Sequence, residues 1–349
     1  VYFRVDSQLW ATDTLGNEAS LLSEEAEDHG LLKALGDRVL FLARNGQDGG
    51  LELAVADGSM VGVRRLMRTA LEETLVERGV VLEDRLFFFP GYDDAHGIEL
   101  WRSDGTETGT SMVRDIHPES ASTYFLDLVP NRDRLFFSIS DTSGDGGSFE
   151  QLWVSDGMQE GTRPLTERPV NILGRSVVAA GERVYFVAWD PERGYELWGT
   201  DGTSDGTRTV TDLRPECLDG LPGGLTAAAG GLFFTACDGT EKHLWVTDGT
   251  PERTRPVAPV PWRFFSAPYP YNPVVVGDRL YYFGSPKKLL TTDGTVRGTF
   301  TVREWAEDLY WGNIMCGGSD IDIHIQSLIP AGTTLFITGY TSEYGEWLE

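Results

Sequence analysis

One short acidic stretch has the spacing of a metal-binding loop. It is DTSGDGG, in which Asp141 and Asp145 stand four residues apart with glycines close by. Carboxylate oxygens are the ligands that Ca²⁺ prefers, but the ion takes about six to eight of them. We therefore name Asp141 and Asp145 as candidate Ca²⁺ ligands and expect no other cofactor. The alternative is that both residues cap the solvated tip of a hairpin.

Two stretches near the end of the chain concentrate aromatic side chains beside carboxylates. They read PWRFFSAPYPYNP and EWAEDLYWG. Such rings suit stacking on sugars or anchoring a basic protein partner, because Trp and Tyr combine a large apolar face with a polar group. The alternative is that they pack beneath their own loops. The candidate binding residues are Trp262, Tyr269, Tyr271, Trp305, Tyr310 and Trp311.

The cysteines and histidines indicate little metal or nucleophile chemistry. The five histidines show no close pairing and no Cys-x-x-Cys occurs, so a zinc site is not expected. The motifs of nucleophilic serine hydrolases, P-loops and dinucleotide-binding folds are absent from the sequence. No catalytic residue is assigned, and we lean towards a protein that is not an enzyme.

These residues must be positioned by a repeat that runs through the whole chain. Its clearest copy is YELWGTDGTSDGT, residues 195–207. The repeat has a period of roughly 46 residues, which is typical of repeat architectures. Its central aspartates are Asp13, Asp57, Asp104, Asp156, Asp201, Asp248 and Asp293.

Each repeat contains four short runs rich in Val, Phe, Tyr, Trp and Thr, bounded by turn residues. Such runs predict four β-strands, which we call a, b, c and d. The ELW segment is strand c, and the Asp-Gly that follows it is a strong signal for a tight turn. Adjacent apolar residues such as Leu197 and Trp198 point to opposite faces of a strand. Both faces must therefore be buried, as in the blade of a β-propeller.

This pattern resembles the ELWxxDGT-repeat β-propeller family of large secreted or surface-attached bacterial proteins, especially those of myxobacteria. The resemblance covers essentially the whole chain and implies a fold, since the repeat itself carries no catalytic residues. Departures from the motif include Ala54 in place of the Trp and Arg253 in place of the second Gly.

The predicted fold is all-β: a β-propeller of about eight four-stranded blades, with seven as the alternative. We expect residues 1–349 to form one domain whose first and last repeats are incomplete. The first repeat should lack strand a, and the last should supply a, b and the start of c. The chain opens and stops inside a repeat, so we expect it to be a processed product or a piece of a longer protein.

Charge and hydropathy exclude some classes of partner. The net charge of −25 disfavours nucleic acid, whose phosphates require Lys and Arg. It equally disfavours an anionic membrane surface. No run of about 18 apolar residues is present, so membrane insertion is not expected.

Strand direction sorts the connections of every repeat into two groups. The a–b and c–d turns lie at one end of the strands, which we call the turn end. The b–c and d–a connections lie at the other, the loop end, and they carry nearly all the variation. Cys217 and Cys237 both reach the loop end, so a secreted chain would bond them as a disulfide and leave Cys316 unassigned. The alternative is three reduced thiols in a cytosolic protein.

Function usually lies on variable loops over a rigid frame. We therefore expect a non-enzymatic protein, extracellular or at the bacterial cell surface, whose loop end binds a protein or a carbohydrate. The alternatives are a propeller hydrolase or lyase acting on glycans, and a structural scaffold or sensor segment of a longer protein.

Overall fold

A computed structural model describes most of the chain. The described residues are 1–12, 18–24, 26, 32–44, 51–59, 62–69, 78–118, 122–141, 149–166, 170–174, 176–190, 192–212, 222–228, 231–237, 241–259, 273–285, 288–304, 309–311 and 321–343. Only the backbone is described at 68–69, 141, 190, 284–285, 309–311, 321–327 and 338–343. The chain groups into two compact units, Val1–Val177 and Val178–Glu349.

The first unit contains fifteen strands in its described residues. They are β1 (Tyr2–Val5), β2 (Gln8–Thr12), β3 (Ala19–Ser23), β4 (Leu32–Leu35), β5 (Arg38–Arg44), β6 (Leu51–Ala56), β7 (Arg64–Thr69), β8 (Val80–Leu82), β9 (Leu86–Asp93), β10 (Gly97–Ser103), β11 (Ser111–Arg114), β12 (Tyr124–Asn131), β13 (Arg134–Asp141), β14 (Phe149–Ser155) and β15 (Arg163–Pro164).

The second unit contains fifteen more strands and one turn of 3₁₀ helix, Pro251–Arg253, in its described part. The strands are β16 (Val178–Ala180), β17 (Arg183–Asp190), β18 (Gly194–Thr200), β19 (Arg208–Thr209), β20 (Gly223–Ala228), β21 (Gly231–Cys237), β22 (Lys242–Thr247), β23 (Arg255–Pro259), β24 (Val274–Val276), β25 (Arg279–Ser285), β26 (Lys288–Thr292), β27 (Phe300–Glu304), β28 (Leu309–Trp311), β29 (Ile321–Ala331) and β30 (Thr334–Glu343).

The strands form eight sheets, which we number as blades 1 to 8. Blades 2 to 7 each have four strands joined in chain order, from β4–β7 to β24–β27. Every pairing within these six blades is antiparallel, as in Phe137 of β13 opposite Trp153 of β14. The four predicted runs a, b, c and d are therefore confirmed as the four strands of a blade.

The first and last sheets have three strands each. Blade 1 consists of β1, β2 and β3, which are strands b, c and d, as the sequence predicts. Blade 8 departs from the prediction. Its third strand is β28, which comes from the stretch before strand a and pairs in parallel with β29. The expected start of strand c, at residues 345–349, lies outside the described residues.

Successive blades pack face to face within each unit, through apolar clusters built from both partners. Phe88 and Leu100 of blade 3 meet Phe137 and Trp153 of blade 4. In the second unit, Trp245 of blade 6 packs with residues of blade 5. Further clusters join blades 1 and 2, 2 and 3, 6 and 7, and 7 and 8. This is the blade packing of a β-propeller, and the predicted fold class is confirmed.

The repeated tryptophans lie at these faces, though not all are fully covered. Trp153 and Trp245 are buried, whereas Trp10, Trp101 and Trp198 are partly buried. Trp101 packs against the cluster that joins blades 2 and 3. The repeat predicts that all five of these tryptophans are buried between blades, and this is right for two of them.

Candidate functional site

The c–d turns show how the turn end is built. In blade 3, Thr106 donates from its backbone N–H and its hydroxyl to Asp104 Oδ1, over 2.9 and 2.6 Å. The Thr110 hydroxyl donates to the Thr106 carbonyl at 2.6 Å. Ser103 Oγ lies 2.7 Å from Thr110 Oγ1 and accepts from the Gly105 N–H at 3.1 Å. The Ser103 hydroxyl must therefore donate to Thr110 Oγ1, which gives every hydroxyl of the turn a partner.

The same turn recurs in blades 5 and 7 with nearly identical distances. Asp201 Oδ1 accepts from the Thr203 N–H and hydroxyl, and Asp293 Oδ1 accepts from those of Thr295. The pKa of each carboxyl is held below its usual value, first by the threonine hydroxyl and then by the backbone N–H. The threonine donors of these two turns are thus used within the turn.

The two glycines of the motif are needed for different reasons. The first has a left-handed backbone, with φ of +83° at Gly105 and +87° at Gly157, and it also lies close to the preceding blade. A Cβ on Gly157 would lie 3.2 Å from Leu86 and Phe88. The second glycine has no such backbone, but a Cβ on Gly109 would lie 2.0 Å from Asp104 Oδ1. The second glycine is therefore required because a side chain there would overlap the Asp104 carboxylate.

The loop end of blade 3 collects several polar side chains. Glu99, the first residue of the ELW segment, is fully buried. It accepts hydrogen bonds from the Ile116 N–H at 2.9 Å and the Thr123 hydroxyl at 2.9 Å. Burial raises the pKa of Glu99, an effect that the hydrogen bonds oppose and that nearby Asp115 increases. Glu99 thus ties the d–a segment to the blade.

A histidine lies beside this group on the b–c hairpin. His96 Nδ1 is 2.8 Å from Asp93 Oδ1, and that hydrogen bond raises the pKa of His96. Asp115 Oδ1 is buried without a hydrogen-bond partner. Among the described residues, no group of three or more His, Cys, Asp or Glu side chains is placed to hold a metal ion.

The loop end of blade 5 has a buried glutamate as well, Glu196, and it adds an aromatic pair. Trp189 on β17 and Tyr195 on β18 lie directly opposite each other across a tight hairpin. Their rings meet edge to face, with centroids 5.2 Å apart and planes at 76°. Trp189 is 44% exposed. Arg193, in the hairpin turn, pairs with Asp212 in the d–a segment at 3.6 Å.

Most of the binding residues predicted from the sequence lie outside the described part of the chain. These are Trp262, Tyr269, Tyr271 and Trp305. Tyr310 and Trp311 lie on β28, opposite His324 and Ile325 of β29, and only their backbone is described. The predicted aromatic site stays a prediction.

The other predicted sites stay predictions for the same reason. Asp141 ends β13 and Asp145 lies outside the described residues. Cys237 is fully buried at the end of β21. Cys217 and Cys316 both lie outside the described residues, so the Cys217–Cys237 pairing is a prediction.

Sequence reasoning missed both groups that the structure describes at the loop end. The segment WDPERGY carried a usable signal, because two aromatics on either side of a five-residue turn must face each other if the flanking runs pair. Burial of Glu99 had no comparable signal, since a charged residue at the start of a strand usually faces solvent.

Neither the protein-family models nor the curated proteins include a match to this chain. Three similar solved structures are the β-propeller domain of the Trilobed protease from Pyrococcus furiosus, a structure from a study of two prolyl endopeptidases, and a puromycin hydrolase S511A mutant. The first has a TM-score of 0.41 and 14% identity, over 86% of this chain and 87% of that one. The second has a TM-score of 0.46 and 13% identity, over 87% of this chain and 49% of that one. The third has a TM-score of 0.44 and 16% identity, over 89% of this chain and 50% of that one.

This chain spans about half the length of the last two proteins. All three TM-scores are below 0.5, so the fold assignment rests on the strands and packing described above. By those criteria the chain is a β-propeller protein. Within the described part of the chain, no helix has the length and hydropathy of a membrane span.

Proposed function

We propose that this chain is a non-enzymatic, extracellular β-propeller whose loop end binds a protein or carbohydrate partner. One observation carries the proposal, namely the contrast between the two ends of the blades. At the turn end, the same Asp and Thr side chains make the same hydrogen bonds in blades 3, 5 and 7. At the loop end, equivalent positions hold an aromatic pair in blade 5 and a Tyr92–Ile98 pair in blade 3. Variation on a rigid frame is typical of a recognition surface.

Two further observations support parts of this proposal. The net charge of −25 suits a neutral or cationic partner. The repeat is like that of the ELWxxDGT proteins, which are secreted or surface-attached, and the predicted Cys217–Cys237 disulfide would suit an oxidising compartment. We propose membership of that family and an extracellular location together.

A glycan hydrolase or lyase is the alternative that a specific observation favours. Glu99 and Asp115 bring two carboxyl groups to one loop end, and paired carboxylates cleave glycosidic bonds. However, Glu99 is fully buried and its oxygens accept hydrogen bonds from the d–a segment. A carboxylate engaged in this way is poorly placed to reach a substrate, so we favour binding without catalysis.

The proposal is tested by blocking each end in turn. Tyr124→Arg and Trp189→Arg place bulky charges at exposed loop-end positions, and Met158→Arg and Val296→Arg are matched controls at exposed turn-end positions. Binding is measured against a panel of neutral polysaccharides and purified extracellular proteins. We expect loop-end variants to lose about tenfold or more in affinity and turn-end variants to keep it. Loss confined to the turn-end variants, or no binding to the whole panel, would count against the proposal.

A further inference from the structure

The aromatic pair of blade 5 is held in a fixed geometry. β17 and β18 are in register up to Asp190 opposite Gly194, so the backbone beneath both rings is fully paired. Gly194 has φ of +82°, which permits the tight turn that follows the pair. The edge of one ring contacts the face of the other. A ligand that binds to this pair loses little free energy to side-chain ordering, since neither ring has to be immobilised.

The exposure of Trp189 is unusual within this chain. The five repeat tryptophans (Trp10, Trp101, Trp153, Trp198 and Trp245) are buried or partly buried. Among the tryptophans whose side chains the structure describes, Trp189 is the most exposed, at 44%. It is not needed for the blade, because the same position holds Tyr92 in blade 3 and Cys237 in blade 6. An indole that stays in water on a rigid hairpin is available to a ligand.

Hydrogen-bonding groups lie on the same hairpin and the adjoining segment. Arg193 presents a planar guanidinium and Asp212 a carboxylate, 3.6 Å apart. The Asp212 side chain is 74% exposed. Together they offer donors and acceptors that can both bind a vicinal pair of hydroxyls. Because the two charges are opposite, the pair adds no net positive charge that would attract an acidic ligand.

We propose that the blade 5 hairpin binds a pyranose unit of a neutral glycan, stacked on the face of Trp189, with its hydroxyls bonded by Arg193 and Asp212. This inference rests on the proposed function and names its ligand class. A single sugar ring matches the groups present, which are one aromatic pair and one ion pair. A stable protein interface buries about 800 Å² on each partner around several anchors. The acidity of the chain disfavours acidic glycans.

The test is ¹⁹F NMR on the full chain labelled with 5-fluorotryptophan. The resonance of Trp189 is assigned from its loss in Trp189→Phe. The probes are cellohexaose, mannohexaose, maltohexaose and N-acetylchitohexaose at up to millimolar concentration. We expect at least one probe to shift the Trp189 resonance selectively. Trp189→Ala should weaken binding of that probe about tenfold or more, and Trp189→Phe should retain most of it.

Phe300→Ala is the matched control, because Phe300 is 53% exposed and lies at the turn end of blade 7. It should bind the probe as the wild-type chain does. The inference is overturned if no probe moves the Trp189 resonance or if Trp189→Ala binds equally well. A protein partner that shifts the Trp189 resonance when no glycan does would overturn this inference and leave the proposed function standing. Binding lost only through turn-end variants would overturn the proposed function.

Discussion

At the scale of single residues, the second glycine of the turn illustrates a steric requirement. Gly109, Gly161, Gly206 and Gly298 each face the carboxylate of the motif aspartate five residues earlier. Blade 6 has Arg253 at this position, and there the turn becomes a 3₁₀ helix with Arg253 paired to Asp248 at 3.4 Å. A side chain is thus accepted when the backbone winds differently.

We expect Gly109→Ala to destabilise the protein by about 1–3 kcal/mol, because the new methyl group would overlap Asp104. Combining it with Asp104→Ala should add little to the cost of Asp104→Ala alone. Gly223→Ala is the control, since no atom lies within 4 Å of its added Cβ. Urea unfolding is measured for the wild type and the four variants. Equal losses in Gly109→Ala and Gly223→Ala would contradict the steric explanation.

The turn aspartates make stability depend on pH in the acid range. The pKa of Asp201 in the folded protein is below its ordinary value of 3.8, chiefly through the Thr203 hydroxyl. A lowered folded-state pKa adds stability above 3.8 that is lost as the pH falls through the folded value. Thr203→Val should therefore lower the free energy of unfolding at neutral pH by about 0.5–1 kcal/mol. The variant should also lose less stability than the wild type as the pH falls below 3.8.

The measurement is thermal unfolding between neutral and strongly acidic pH. Thr226→Val is the control, since the Thr226 hydroxyl bonds a backbone carbonyl and no carboxylate. It should leave the slope of stability against pH as it is in the wild type. An unchanged slope in Thr203→Val would show that this hydroxyl does not set the acid response.

At the scale of elements, the hydroxyls at the two ends of the c–d turn act as a pair. In blade 4 they are Ser155 and Thr162, 2.7 Å apart and both fully buried. Blade 2 has Ala56 and Val63 at the same two positions, so both hydroxyls are missing there together. Replacing both partners of a buried hydrogen bond is less costly than removing one.

We expect Ser155→Ala and Thr162→Val each to destabilise the protein by about 1–3 kcal/mol, because each removes the hydrogen bond between the two buried hydroxyls. Ser155→Ala also leaves the Gly157 N–H without its acceptor. The double variant should cost less than the sum by about 1 kcal/mol. A double-mutant cycle from urea unfolding gives this coupling. Strict additivity would mean that the two hydroxyls stabilise the turn independently.

The indole N–H groups distinguish one blade from another. Trp153 Nε1 donates to Gln151 Oε1 at 3.1 Å, and Trp10 Nε1 donates to Gln8 Oε1 at 3.2 Å. Trp101 has Glu99 two residues before it, and that side chain bonds the d–a segment instead. Trp101 Nε1 is buried without a partner.

Trp153→Phe should therefore cost more stability than Trp101→Phe, by about 1 kcal/mol. Both changes remove similar apolar volume from a blade face, but only the first also breaks a hydrogen bond. The two variants act as controls for each other, and their urea midpoints give the difference. The reverse order would indicate that packing at these positions, and not hydrogen bonding, decides the cost.

At the scale of the whole molecule, the local part of the fold could be predicted and the non-local part could not. The motif specifies strand c, the turn and strand d because its hydrogen bonds close within eight residues, as from Ser103 to Thr110. The pairing of β28 with β29 could not be predicted, since a parallel partner is set by tertiary packing. The role of the second glycine depends on where the Asp104 carboxylate lies.

The candidate site also had a part that the sequence could predict and a part that depends on non-local packing. Strand direction placed Trp189, Tyr195 and Glu99 at the loop end without further information. The side-chain groups needed cross-strand register, which pairs Trp189 with Tyr195, and burial, which covers Glu99. Prediction favoured the two longest d–a connections because they hold the most aromatic residues. The short hairpin of blade 5 has fewer, yet it presents an exposed indole.

The central claim is that partners bind at the loop end of the blades. Hydrogen–deuterium exchange of the full chain, with and without the tightest ligand from the binding panel, tests it most directly. We predict slower exchange in the b–c hairpins and d–a segments, above all at residues 188–196, and no change in the c–d turns. Protection of the c–d turns, with the blade 5 hairpin exchanging as in the free protein, would contradict the claim.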